Sequence, residues 1–105
     1  MSTALRVAIV GAGPSGLYAA VELLKRDTTL EVELYDRQPT IGGLVRSGVS
    51  PDHAARRAVT GVYERLAVAS GRFRFHGNVT IGRDLTHAEL LAHHHAVIYA
   101  SGAPA

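Results

Sequence analysis

The stretch VAIVGAGPSGLYAA, Val7 to Ala20, constrains the fold of this chain more than any other. A short apolar run with β-branched residues, Leu5 to Val10, stops at Gly11 and reads as a buried strand. Gly11, Gly13 and Gly16 then give the spacing G-x-G-x-x-G. Pro14 falls where a helix begins, a position that tolerates its missing N–H. Leu17, Val21 and Leu24 recur at helical spacing with Ala20 beside them, and Lys25 and Arg26 close the helix against its C-terminal dipole. In a strand–turn–helix of this kind Gly11 permits the tight turn, Gly13 lets a pyrophosphate approach the backbone, and Gly16 lets the helix pack on the strand. The free N–H groups at the helix start face the phosphates. A bare G-x-G-x-x-G is a weak signal, but here both flanks have the required structure.

Downstream, LEVELYD (Leu30 to Asp36) alternates Leu30, Val32 and Leu34 against Glu31 and Glu33, and reads as a second strand, parallel to the first. Gln38 to Pro51 is a long glycine-bearing loop, too long for a plain connector. Asp52 to Ser70 reads as a helix with Ala55, Val59, Val62, Leu66 and Ala69 on one face. FRFHGNVTI supplies one or two short strands; Thr86 and Glu89 form a capping box that opens a short helix to about Ala92; and Ala96 to Ala100 is a last apolar strand. The order β-α-β-loop-α-β-α-β predicts an α/β fold, a doubly wound parallel sheet with a Rossmann-like nucleotide-binding unit. A parallel sheet seldom stops at such a strand, so residues 1–105 are expected to be the N-terminal part of one domain of a larger protein.

With no cysteine in the chain, thiolate metal sites, disulfides and iron–sulfur ligation by these residues are excluded, and redox chemistry needs a bound cofactor. No apolar run is long enough for a membrane helix, and the start lacks the pattern of a secretory signal, which makes a cytoplasmic location the default expectation. The formal charge is +2 with basic residues dispersed, so no nucleic-acid partner is expected.

Asp36 ends the second strand twenty-five residues after Gly11, where a carboxylate can accept hydrogen bonds from an adenosine ribose. It would repel a 2′-phosphate on that ribose, so the clamp should hold FAD or NAD rather than NADP. The residues alone leave those two open.

GAGPSGLYAA resembles a flavoprotein reductase, with Pro14 and Ser15 between the glycines as in the FAD-binding form of the fingerprint. YDRQPTIGGLVRSGVSPDH (Tyr35 to His53), FHGNVTIGRDLT (Phe75 to Thr86) and HAVIYASGA (His95 to Ala103) together resemble the ferredoxin–NADP reductases of the adrenodoxin-reductase type, in that family's order and spacing. The resemblance implies an enzyme that moves electrons between NADPH and a ferredoxin-type iron–sulfur protein through FAD, of which this chain is the first FAD-binding portion and alone inactive. It implies that Gly11, Gly13 and Gly16 meet the FAD pyrophosphate, with Pro14 and Ser15 between them, and that Asp36, next to Arg37, meets the ribose. It places Gly43, Leu44 and Val45 along the flavin side, the Val79 backbone at the adenine edge, and Ala100, Ser101 and Gly102 over the pyrophosphate region. His53 matches a histidine beside the nicotinamide and isoalloxazine rings, the catalytic candidate.

Two alternatives stand beside this: a non-catalytic or NAD-linked Rossmann module, and the small subunit of a glutamate-synthase-like flavoprotein, which lacks the Pro51–Asp52–His53 triplet. His93 to His95 do not share one face, so no metal site is expected; His76 and His87 read as surface or packing residues.

Overall fold

The computed structural model describes residues 4–39, 41 and 61–100. Strand β1 (Arg6–Val10) leads through the glycine turn into helix α1 (Pro14–Arg26) and strand β2 (Glu31–Tyr35). Helix α2 is described over residues 61–69, and is followed by strand β3 (Phe73–His76), helix α3 (His87–His93) and strand β4 (Ala96–Tyr99). The sheet has the order β3-β2-β1-β4 with every neighbouring pair parallel, which bears out the doubly wound expectation. The chain runs outward from β1 to β3 and then returns past β1 to lay down β4. The carboxyl end of β1 therefore lies at the point where the strand order reverses, the place where such sheets bind ligands.

One face of the sheet packs Val7, Ile9, Val32 and Leu34 against Ala20, Val21 and Leu24 of α1 and Ala67 of α2. Burying a side chain of that size stabilises by roughly 1.5–3 kcal/mol. The other face carries a smaller cluster of Ala8, Val10, Tyr35 and Leu90. The C-terminal end of α1 is tied down by Arg72, whose guanidinium donates to the carbonyls of Leu24 (2.9 Å), Asp27 (2.7 Å) and Leu30 (2.7 Å). The capping box of α3 forms as expected: Glu89 N–H donates to Thr86 Oγ1 at 3.1 Å and Thr86 N–H to Glu89 Oε1 at 2.9 Å.

The apolar face expected for the third helical stretch is displaced. Val62 and Leu66 are 44% and 46% exposed, Ala69 is exposed, and Ala67 is fully buried with Tyr63 packed beside it. Small Ala67 lets the helix approach the sheet, and Tyr63 meets Tyr18 of α1 edge-on at 5.7 Å, so tertiary contacts rotate the helix by about one residue. Ala55 and Val59 lie outside the described residues. FRFHGNVTI yields β3 and, beyond it, only an isolated bridge between Ile81 and Leu85.

Candidate functional site

The carboxyl ends of the four strands bring the glycine turn, Asp36, Val79 and Ala100 to one side of the sheet. Gly11 has φ +116°, a conformation open to glycine, and its N–H donates to the Tyr35 carbonyl at 2.7 Å. The turn is thereby anchored to β2. Gly16 lies so close to the turn that a Cβ there would collide with the Gly11 carbonyl oxygen and stand 3.0 Å from its carbon. Gly16 is thus the contact that seats α1 on β1, as its spacing predicts.

Gly13 behaves differently. It has φ −75° and caps α1 with no side-chain hydrogen bond, and a Cβ built on it meets nothing within 4 Å. The protein does not need a glycine there for its own packing, and the space beside the helix start is left open. Pro14 opens the helix, no acidic residue sits in the first turn, and the N–H groups of Ser15 and Gly16 find no acceptor among the described residues. This is a free positive helix end beside an open backbone, the geometry that accepts a pyrophosphate.

Asp36 is partly buried, and its carboxylate serves the turn itself. Oδ1 accepts the Ala12 N–H at 3.2 Å and Oδ2 accepts the Gln38 N–H at 2.9 Å. Each oxygen keeps a further lone pair for a ribose hydroxyl. The adjoining wall is a close pairing of 36–39 with 77–79. Val79 N–H donates to Asp36 O at 2.9 Å, and Asn78 N–H donates to Gln38 O at 3.1 Å. A Cβ on Gly77 would stand 2.9 Å from Pro39 O, and Asn78 adopts φ +58°. The Val79 N–H is thereby engaged within this wall. Ala100 extends the β4–β1 pairing by donating to Val10 O at 2.8 Å, which carries the chain to the glycine turn.

Gly11, Gly13, Pro14, Ser15, Gly16, Asp36, Val79 and Ala100 are thus brought together, and Arg37 is exposed next to Asp36. Gly43, Leu44, Val45, His53, Ser101 and Gly102 lie outside the described residues. Ala12, Gln38, Gly77 and Asn78 were not singled out from sequence, although the Gly77–Asn78 pair directly after a strand is a turn signal. Two concavities of about 230 and 260 Å³ among the described residues lie away from the glycine turn, against Arg72 and Arg74 and against α3 respectively. An extended dinucleotide lies along strand ends and needs no closed cavity.

The histidines are more structural than their sequence suggests. His94 is buried and His76 bonds to Glu33, while His87 Nδ1 lies 2.7 Å from Tyr99 Oη. No group of three or more metal-binding side chains is assembled among the described residues, and no helix there is long and apolar enough to cross a membrane.

Comparison with known proteins agrees with this geometry. Residues 9–65 match the family model described as NAD(P)-binding Rossmann-like domain. Over 100 residues the chain is 55% identical to a probable ferredoxin/ferredoxin–NADP reductase of Mycobacterium tuberculosis, covering 95% of this chain and 17% of that protein. It is 44% identical over 98 residues to the mitochondrial NADPH:adrenodoxin oxidoreductase of Salvelinus fontinalis, covering 93% of this chain and 20% of the other. The structure of Mycobacterium tuberculosis FprA in complex with NADPH superposes with a TM-score of 0.84 at 42% identity, over 96% of this chain and 23% of that one. The chain therefore spans about a fifth of the length of these relatives.

Proposed function

The chain belongs to the NAD(P)-binding Rossmann-like domain family, and on that premise we propose that it is the FAD-binding portion of a longer flavoprotein reductase that moves electrons between NADPH and a ferredoxin-type iron–sulfur protein. The observation that carries the reading is Gly13: a residue with open space around it, at a free helix end, in a chain similar over 100 residues to a ferredoxin–NADP reductase.

In this reading the Ser15 and Gly16 N–H groups and the α1 dipole hold the pyrophosphate. The Asp36 carboxylate keeps the turn in shape through Ala12 and accepts from the adenosine ribose. The Val79 carbonyl meets the adenine amino group, and Ala100, Ser101 and Gly102 close over the diphosphate. Gly43, Leu44 and Val45 line the flavin side, and His53 stands beside the reacting rings, where an imidazole donor steadies developing charge. When bound, FAD supplies the two-electron to one-electron conversion that protein side chains lack.

The NAD-linked alternative draws on the family description and is separated by the same experiment. FAD and NAD are titrated separately into the protein, and the flavin spectrum and fluorescence are followed. Binding of FAD in preference to NAD, and NADPH-dependent bleaching of the flavin in the reductase that contains this segment, is the expected result. Preference for NAD, or a colourless reductase, refutes the flavin reading.

A further inference from the structure

The sheet face opposite α1 carries a charged residue where an apolar one is the rule: Glu33, mid-strand in β2 and flanked by β1 and β3. A carboxylate held largely out of water, as this partly buried one is, is costly unless paired. Its two oxygens go to two histidines. Oε1 lies 2.7 Å from Nε2 of His94, and Oε2 lies 3.0 Å from Nε2 of His76. His94 has a side chain only 2% exposed, and its Nδ1 stands 2.8 Å from the Leu90 carbonyl. A carbonyl only accepts, so both His94 nitrogens face acceptors. The doubly protonated imidazolium is the form that satisfies both.

One carboxylate thus ties β2 to β3 and to the end of α3. The tie reaches the strand ends beneath the candidate site. The His76 ring stacks on Tyr35 at 4.7 Å and 16°. The backbone carbonyls of these same two residues accept the N–H of Asp36 (from His76, 3.1 Å) and of Gly11 (from Tyr35, 2.7 Å). We infer that Glu33 is a positioning residue for the nucleotide site, acting through His76 and His94 on the carboxyl ends of β2 and β3. The inference rests on the dinucleotide reading above.

Among the described residues, the charged groups around this cluster include Arg6 of β1, Glu31 on β2, Arg72, Arg74 paired with Glu33 across β2–β3, and Glu89 and His93 of α3. Arg6 reaches the His93 carbonyl, 3.5 Å away.

The test is the FAD dissociation constant of wild type and of Glu33→Gln, measured at a temperature where both are fully folded. Glu33→Gln should bind FAD about fivefold more weakly, the size of one lost charged hydrogen bond acting at a distance. Should Glu33→Gln fail to fold, His76→Phe keeps an aromatic ring against Tyr35 but strips both ring nitrogens, including the Nε2 that meets Glu33; it should lose affinity in the same direction. Unchanged FAD affinity in the folded variant overturns the positioning role while leaving the dinucleotide reading in place. Failure of wild type to bind FAD overturns both.

Discussion

Two glycines three residues apart should fail in different ways. In Gly16→Ala the new methyl points at the Gly11 backbone, standing 3.0 Å from its carbonyl carbon and closer still to the oxygen. Backbone cannot rotate away, so α1 must retreat from β1. Leu17, Ala20, Val21 and Leu24, all buried, retreat with it. Overpacking of this kind costs about 1–3 kcal/mol, and the contact here is with rigid backbone, which puts it at the upper end. The better helix propensity of alanine returns at most about 1 kcal/mol. The net loss of about 2 kcal/mol lowers the melting temperature by about 8–16 °C for a domain of this size. In Gly13→Ala the methyl meets nothing within 4 Å. Stability should fall by no more than about 1 kcal/mol, the difference between glycine and alanine at a helix cap. FAD binding should nonetheless be lost, because the methyl takes up the space of the approaching pyrophosphate. Thermal unfolding by circular dichroism and FAD titration, run on both variants, separate the two effects. A wild-type melting temperature in Gly16→Ala, or wild-type FAD affinity in Gly13→Ala, would refute the argument.

Arg72→Met keeps the aliphatic stem but strips the donors from the Leu24, Asp27 and Leu30 carbonyls, and should cost about 2–3 kcal/mol in urea unfolding, as for hydrogen bonds to a charged group. Asp36→Ala should weaken FAD by about 1.5–3 kcal/mol, measured as a shift in dissociation constant, and should also lower the melting temperature, because the Ala12 and Gln38 N–H groups lose their acceptor. Partial burial pushes the Glu33 carboxyl up, but the hydrogen bonds from His76 and His94 and their positive charge outweigh it and hold it below its ordinary value of 4.5. A depressed carboxyl stabilises the fold above its unfolded value and loses that contribution as pH falls through the folded one. Stability of wild type should therefore drop more steeply below about pH 4.5 than that of Glu33→Gln, by denaturant melts at stepped pH, and parallel curves would count against the brace.

What could be read from the sequence was local. The G-x-G-x-x-G turn, Pro14 at the helix start and the Thr86–Glu89 capping box each specify geometry within a few residues, and each forms as expected. The apolar face of α2 was misplaced because Val62–Leu66 and Tyr63–Ala67 are equally spaced, and only contact with Tyr18 and the sheet chooses between them. Asp36 was read as a ligand group, but its carboxylate is also the brace of the turn, through an N–H twenty-four residues away.

The histidines show the same limit more sharply. In sequence His93 to His95 form a polar run before a strand, with nothing to mark the middle one as buried. Its burial is decided by Glu33, sixty-one residues earlier, and His76 meets the same carboxylate across forty-three. One trace of this was legible. Glu33 stands in an interior strand between Val32 and Leu34, on the polar side of the alternation. In a strand paired on both edges, however, a carboxylate is left with only the sheet face to find a partner. The partner must then come from a side chain on a neighbouring strand or on the helix that covers that face. His76 on β3 and His94 at the end of α3 meet that requirement, so an acidic residue inside a parallel strand asks for a basic one across it even when the sequence does not show which.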